Sequence, residues 1–402
     1  LLTEESKRIN NMNMCSSFEF YEFFAGGGMA RLGLGEGWAC AFANEWCERK
    51  ASSYRLNFSG ADELCVTDIA ELTHGNLSGK ADLAWASFPC QDLSLAGKRA
   101  GLAGQRSGTF HAFHRLIVEL QAQHRAPSII CLENVPGAIT SNEGRDFHAL
   151  LGLLWEAGYR AGPLVLDAIH FLPQSRPRLF VVAVDRSIPI EGLTTTMSAL
   201  SPWQKHRLHE AWAKAPKSIQ NEWIWWRLPI PPERRQTLAD LIEISPQSVS
   251  WHTPAETEGL LRMMSARHRD KINEVLRSGD RIVGTVYKRT RVENGKKVQR
   301  AEIRLDGVSG CLRTPAGGSS RQIILIIDQG QIRSRLLSTR EAARLMGIPE
   351  SYQLPKLYNE GYHLAGDGVA VPVVAWLEAW LLRPLAVRAN SRSELSLELA
   401  SA

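Results

Sequence analysis

A cysteine that follows a short apolar run and a proline, Phe88-Pro89-Cys90-Gln91, is the residue best placed in this chain for nucleophilic chemistry. The run before it, Ala81–Ala86, reads as a strand, so the thiol stands at a sheet edge, whereas Cys131 lies inside an apolar run and reads as core. A free thiol ionises near pH ~8.5, so Cys90 needs positive charge beside it to act as thiolate at neutral pH. Behind it, Ser94 to Gly108 carries glycines at 97, 101, 104 and 108 and bases at Lys98, Arg99 and Arg106, a cationic loop suited to closing over phosphates. The same residues also read as a plain surface loop beside a buried cysteine.

A second cluster suits a cofactor. Phe18–Phe24 runs into Ala25-Gly26-Gly27-Gly28, a strand feeding a glycine turn, where a ligand can approach the backbone at a helix start. A dinucleotide fingerprint wants a third glycine where Arg31 stands, which argues against NAD. Glu45, nineteen positions after Gly26, ends the next apolar stretch and can accept both hydroxyls of a ribose. Asp68, after Cys65-Val66-Thr67, can take an adenine amino group. Glycine turn, ribose acid and adenine acid together fit S-adenosylmethionine as well as any nucleotide.

The elements that must position these residues follow from the pattern between Phe18 and Asp185, where apolar runs alternate with helical periodicity. Ser128–Leu132, ending at Glu133-Asn134, and Arg178–Val184 are further strands. Phe110, Phe113, Ile117 and Leu120 recur at helical spacing, as do Phe147, Leu150, Leu151 and Leu154. This predicts a doubly wound α/β domain on a parallel sheet, with ligands beyond the carboxyl ends of its strands. Past Asp185 proline-rich turns and a Gly-Gly-Ser-Ser loop at 317–320 predict a separate, smaller, loop-rich domain. Order returns at Ser338-Thr339-Arg340-Glu341, a capping box opening a helix that Gly347 closes. A helix near 371–384 then packs back on the first sheet. The expected divisions are a flexible segment 1–17, a first domain 18–185, a second 186–335, a return 336–388 and a tail 389–402.

Composition sets outer limits. At 402 residues, 44% apolar and 22% charged, the chain is neither largely disordered nor collagen-like nor a coiled coil. The longest apolar stretch, Val369–Leu385, is broken by Pro372, Glu378 and Arg383 and reads as a buried helix, not a membrane span. The first seventeen residues lack the apolar core of a signal peptide, which leads to the expectation of a cytoplasmic protein. Seven cysteines without a Cys-x-x-Cys pair predict free thiols and no metal site. Between Arg186 and Arg321, 23 Lys/Arg face 14 Asp/Glu, and six of the 12 tryptophans fall there, at 203, 212, 223, 225, 226 and 251. A module that meets a polyanion and a solvated surface over core tryptophans both fit that segment.

Several motifs occur together in a familiar order: Phe23-Phe24-Ala25-Gly26-Gly27-Gly28, Asn44-Glu45-Trp46, Phe88-Pro89-Cys90-Gln91, Glu133-Asn134-Val135 and Gln174-Ser175-Arg176-Pro177-Arg178. With Arg340-Glu341-Ala342-Ala343-Arg344, Met346-Gly347-Ile348-Pro349 and Gly366-Asp367-Gly368-Val369, the chain resembles the DNA (cytosine-5) methyltransferase family over roughly residues 18–385. The compact chain is most similar to the bacterial restriction–modification type.

The resemblance implies a Rossmann-like, S-adenosylmethionine-dependent methyltransferase domain with a smaller target-recognition domain at 186–335, acting on double-stranded DNA. It implies Cys90 as nucleophile toward cytosine carbon 6, Glu133 as the acid at ring nitrogen 3, and Arg176 and Arg178 orienting Glu133 and the base carbonyl. For the cofactor it implies Phe24, Gly26, Gly28, Glu45, Trp46, Asp68, Ile69, Pro89, Gly368 and Val369. For DNA it implies Gln91, Ser94, Lys98 and Arg99, together with Arg313, Gly317, Gly318, Ser319 and Arg321 of a DNA-facing loop. Two residues depart from the family pattern: Met29 replaces a glycine after the turn, and Asp367 replaces the usual asparagine. A monomer with no membrane contact is the expectation, any cognate endonuclease acting separately. The alternatives are the same chemistry on transfer RNA, and a catalytically silent nucleic-acid-binding protein; intact Cys90, Glu133, Arg176 and Arg178 argue against silence.

Overall fold

The computed structural model describes residues 18–88, 108–196, 201–293, 295–314 and 321–401, with backbone alone over 393–401. Pro89, Cys90, Gln91, Ser94, Lys98, Arg99, Gly317, Gly318 and Ser319 lie outside the described residues.

The first sheet is built from β1 (Phe18–Phe23), β2 (Trp38–Glu45), β3 (Leu64–Val66), β4 (Leu83–Ala86), β5 (Ile129–Asn134), β6 (Tyr159–Asp167) and β7 (Pro177–Asp185). Their order is β3-β2-β1-β4-β5-β7-β6. The runs from β1 to β5 pair in parallel, each followed by a crossover, as their near-continuous apolar residues require. β7 departs from the expected all-parallel sheet: it runs antiparallel to both β5 and β6. Only a short connection containing a 3-10 turn (Ala168–His170) joins β6 to β7, and a parallel return needs a dozen residues or more, so β7 can only double back.

Helices cover both faces. On one, α3 (Gly108–Ala122) and α4 (Arg145–Glu156) bury Phe110, Phe113, Leu116, Phe147 and Leu151 against Tyr21, Phe23, Ile130 and Val181. The other holds α1 (Met29–Leu34), and α2 (Glu48–Asn57) flanks the glycine turn. The remaining helices are α5 (His206–Lys214), α6 (Lys217–Glu222), α7 (Pro254–Arg262), α8 (Ala266–Ser278), α9 (Thr339–Leu345), α10 (Tyr358–Asp367), α11 (Val371–Leu377) and α12 (Arg383–Ser401). α9 to α12, with the π-helical turn Glu378–Leu382 between the last two, bury Leu345, Tyr362, Val374, Leu381 and Leu385 beside α1, filling the face that α3 and α4 leave bare. α1 and α11 approach so closely that a methyl on Gly33 would stand 2.4 Å from Val374 Cβ.

The stretch Tyr358–Arg392 is long and apolar enough, by length and composition, to cross a membrane, yet more than half of its apolar window is buried inside the fold. The charges that interrupt it are paired: Glu378 accepts from Arg383 at 2.7 Å and from Trp38 Nε1 at 2.9 Å.

A second sheet, in the order β11-β10-β8-β9, contains β8 (Ile282–Glu293), β9 (Lys296–Arg304), β10 (Ile323–Asp328) and β11 (Gln331–Leu336), all antiparallel. α7 and α8 cover it through Leu260, Ile272 and Val275. The change of character after Asp185 does not coincide with a change of core. Residues 186–196 and 201–228 stay on the first sheet, where Ile224 N donates to Ala161 O (2.9 Å) and Trp226 Nε1 to Val182 O (3.1 Å), covering the β6 edge. Trp203, Trp223, Trp225 and Trp226 are buried there, so these four are core and not a nucleic-acid surface.

Candidate active site

The ends of β1, β2, β4 and β5 come together at one edge, since Phe23 pairs with Asn44 and Ala86, and Ala86 with Leu132. Just beyond β1 the chain turns sharply, with Phe24 (φ 58°) and Gly26 (φ 58°) both left-handed. Gly26 N donates to Glu45 Oε2 (2.8 Å) and Cys47 N to Glu45 Oε1 (2.9 Å). Glu45 is thus fixed by the turn it faces, and each oxygen keeps a lone pair for a ligand. The front of Gly26 is open, with nothing within 4 Å of an added Cβ. Its back is filled: Tyr352 donates to Gly27 O (2.8 Å), and Phe58 lies against Gly28.

Beside this hollow Trp46 is 70% exposed, while Asp68, also exposed, accepts from Ala70 N (2.9 Å) and caps a turn whose first residue, Ile69, is buried. Gly368 and Val369 approach from the carboxyl-terminal side. An open glycine turn, an acid with free lone pairs and a bare indole face fit an adenosine carrying a charged amino-acid tail. The third-glycine position is filled as a dinucleotide site could not allow: Arg31 pairs with Glu63 and Tyr54 and lies 4.3 Å over the Phe58 ring.

Of the catalytic candidates among the described residues, Glu133 and Arg178 meet at the end of β5. Asn134 Nδ2 donates to Phe88 O (3.3 Å), holding the segment that leads into Pro89-Cys90 beside Glu133. Glu133 is buried and paired with Arg178, Nε to Oε1 at 3.0 Å. Burial pushes the Glu133 carboxyl up, and although Arg178 and Arg176 pull it down, it stays above the ordinary carboxylate range. A carboxyl held in this way can carry a proton to a ring nitrogen.

Arg176 does not join Arg178 at Glu133. Its Nη1 donates to Leu312 O (2.9 Å), and its Nη2 to Gly366 O (2.9 Å) and Gly368 O (2.7 Å). Wholly buried, it ties the carboxyl-terminal motif to the segment leaving the second sheet. Gln174 does similar work, donating to Leu345 O (2.6 Å) and accepting from Leu312 N (3.0 Å). Of the expected DNA contacts, Arg313 is exposed, whereas Arg321 lies 5.6 Å over Tyr358 and donates to Asn359.

Cys311 escaped the sequence reading. Its thiol lies 3.4 Å from Arg176 Nη1 and 3.9 Å from Arg178 Nη1. Burial works upward on it, but the guanidinium groups of Arg176, Arg178 and Arg313 outweigh burial and hold it below the usual thiol range. No local pattern marks the residue; only the pairing of Gln174 with Ser309 brings it here.

The family model described as C-5 cytosine-specific DNA methylase matches residues 18–379. The Type II methyltransferase M.HpaII of Haemophilus parainfluenzae is 26% identical over 385 residues, covering 91% of this chain and 89% of that protein. M.HhaI of Haemophilus parahaemolyticus is 24% identical over 364 residues, covering 90% and 93%. Among solved structures, the S. pombe Dnmt2 methyltransferase superposes with a TM-score of 0.55 at 18% identity, covering 92% of this chain and 99% of that one. The Entamoeba histolytica methyltransferase EhMeth gives 0.59 at 15%, with the same coverage.

Proposed function

The chain belongs to the C-5 cytosine-specific DNA methylase family, and on that premise we propose how its own residues carry the family's reaction. The protein transfers the methyl group of S-adenosylmethionine to carbon 5 of cytosine in DNA, through a transient covalent bond to carbon 6. Carbon 5 is a poor nucleophile, so the ring must first be activated. The Cys90 thiolate attacks carbon 6, the new carbon–sulfur bond forms, and the ring electrons move toward carbon 5 and nitrogen 3. Glu133, protonated more readily than an ordinary carboxyl, supplies the proton at nitrogen 3, and Arg178 holds its carboxyl group in place. When bound, the cofactor supplies a methyl group on a positively charged sulfur. Once carbon 5 has been methylated, nitrogen 3 returns its proton to Glu133, carbon 5 gives up its own proton to water, and the electron pair left behind re-forms the carbon 5–carbon 6 double bond and expels the Cys90 sulfur.

Thiolate attack is perpendicular to the ring, and in a duplex both ring faces are stacked, so the base must be flipped out. Glu45 holds the ribose; Phe24, Trp46, Asp68 and Ile69 surround the adenine; Gly26, Gly28, Pro89, Gly368 and Val369 enclose the remainder. The second sheet with its loops serves as the target-recognition part, reading a specific duplex sequence as one chain on one site, with any cognate endonuclease separate. The observation that carries this reading is the buried Glu133–Arg178 pair beside the segment that leads into Cys90.

The test is a duplex bearing 5-fluorocytosine at the target, incubated with protein and S-adenosylmethionine. A complex that survives denaturation is expected, since no carbon 5 proton remains to eliminate. Cys90→Ser should form none, and an adduct retained by that variant would remove the nucleophile assignment. Labelled methyl should appear on duplex DNA and not on transfer RNA; the reverse would reassign the substrate.

A further inference from the structure

Asp367 ends α10 at the point where that helix enters the Gly368-Val369 motif. Its Oδ2 lies 2.9 Å from Lys50 Nζ, in the first turn of α2, and its Oδ1 accepts from Thr314 Oγ1. Three separate stretches of chain meet on one carboxylate. Lys50 follows the Glu45-Trp46 corner, Asp367 precedes Gly368, and Thr314 follows the Cys311-Leu312 segment tied by Arg176.

Neither charge is placed to stabilise its own helix. An anion at a helix carboxyl end and a cation at an amino end both oppose the macrodipole. Each of these ten-residue helices therefore carries its charge at the disfavoured end. Burial works against the Lys50 ammonium, yet Asp367 and then Glu45 outweigh it and hold the lysine above its ordinary range. The contact that brings the two charges together joins the helix that follows Glu45-Trp46 to the helix end that leads into Gly368-Val369, and Gly368 in turn abuts Met29, the residue after the glycine turn.

We propose that Lys50, Asp367 and Thr314 form a strap across the mouth of the cofactor hollow, which positions its two lips and couples them to the DNA-facing segment at 313–314. The inference rests on the reading of that hollow as the S-adenosylmethionine site. All three are positioning residues. Lys50 and Asp367 hold Glu45-Trp46 and Gly368-Val369 at a fixed separation, Thr314 ties that pair to the segment at 313–314, and none supplies a group to the reacting atoms. The carboxylate, in place of the family's asparagine, makes the strap ionic, so its strength falls with salt.

The experiment measures the Kd of labelled S-adenosylmethionine by equilibrium dialysis, with and without duplex DNA, and separately kcat and KM for the cofactor. Lys50→Met and Asp367→Asn should each weaken binding about three- to fivefold, as expected for a half-exposed pair, with kcat at saturation retained. The charge-swapped double variant, Lys50→Asp with Asp367→Lys, should recover at least half of the loss. Thr314→Val should leave binding without DNA within twofold and reduce the tightening that DNA brings. Thermal melting checks that each variant folds. Glu45→Ala is the control for the site itself. If that variant binds normally, the hollow is not the cofactor site. If it loses binding while Lys50→Met and Asp367→Asn stay within twofold of wild type, or the swap recovers nothing, the strap is refuted.

Discussion

Arg176 and Arg178 stand two residues apart in one motif, and the structure gives them different work, so replacing each should separate stability from chemistry. Arg176→Ala removes the donors that satisfy three carbonyls, the buried Leu312 O and Gly366 O and the part-buried Gly368 O, at 2.7–2.9 Å. Each buried acceptor left unpaired costs on the order of 1–3 kcal/mol. With part of that recovered by relaxation or entering water, a net loss of roughly 3–5 kcal/mol follows, the range for breaking a buried charged network. At about 2 °C per kcal/mol, the melting temperature should fall by roughly 6–10 °C.

Arg178→Ala instead removes the partner of Glu133, whose 3.0 Å contact is made by a guanidinium that still has access to water at the site. Its stability loss should be smaller, about 1–2 kcal/mol, while kcat should fall by about 10²–10⁴, as expected when a general acid loses its orientation. The assay is calorimetric melting of both variants alongside single-turnover methylation of a duplex at saturating cofactor. If Arg176→Ala melts with wild type, or Arg178→Ala loses as much stability as Arg176→Ala, the division of labour is wrong.

Three further outcomes are expected. Glu22 on β1 is fully buried, and desolvation, only partly offset by Arg31, raises its pKa to about 8. The native state therefore keeps a proton that the unfolded chain releases, and stability should decline by a few kcal/mol as pH rises from about 4.5 to about 8; denaturant titrations of Glu22→Gln across that window should lose this slope, and an unchanged slope would exclude Glu22 as its source. Arg335 is wholly buried on Glu341, with contacts of 2.6 and 2.8 Å, so Arg335→Met should strand that carboxylate and cost about 3–5 kcal/mol in urea unfolding, whereas a loss under ~1 kcal/mol would contradict it. The outer part of the β8–β9 hairpin carries six Lys/Arg and one Glu between 288 and 300, so Lys296→Gln with Lys297→Gln should lower the salt slope of duplex binding by up to ~2 without altering sequence preference; a shifted target sequence would make these residues base readers.

The parts of the site that sequence exposed are those whose geometry is local. A glycine turn after a strand, an acid at the next strand end and the Ser338–Glu341 box each need only near neighbours, and the box forms as its spacing demands, with Glu341 N donating to Ser338 Oγ at 3.1 Å. What sequence could not reveal depends on distant segments. The resemblance gave Arg176 and Arg178 one shared role, orienting Glu133 and the base carbonyl. Yet β7 begins only at Pro177, and Arg176 N is drawn to Asp167 Oδ1 (2.7 Å), which turns its side chain toward residues more than a hundred positions away. The tryptophans of the middle segment gave the same difficulty. Aromatics beside basic residues suit either a core or a polyanion, and only the bond from Ile224 to the β6 edge decides for the core.

The two departures from the family pattern are linked through the carboxyl-terminal motif, and each is matched by a residue far away in sequence. Met29 does not fill the hollow in front of Gly26. It is buried and turned toward Gly368, where an added Cβ would lie 1.9 Å from its sulfur. The thioether thus occupies volume that only glycine at 368 leaves free, and a larger residue at either position must displace the other. Asp367, the next residue along, exchanges an amide for a charge and meets Lys50. A glycine at 29 and an asparagine at 367 would leave a void under Gly368 and an ammonium without its counter-ion, both beside the glycine turn. Restoring the family residue at either of these positions should therefore loosen the cofactor end of the fold, because the fit is between the pairs, Met29 with Gly368 and Lys50 with Asp367, and not within any one motif.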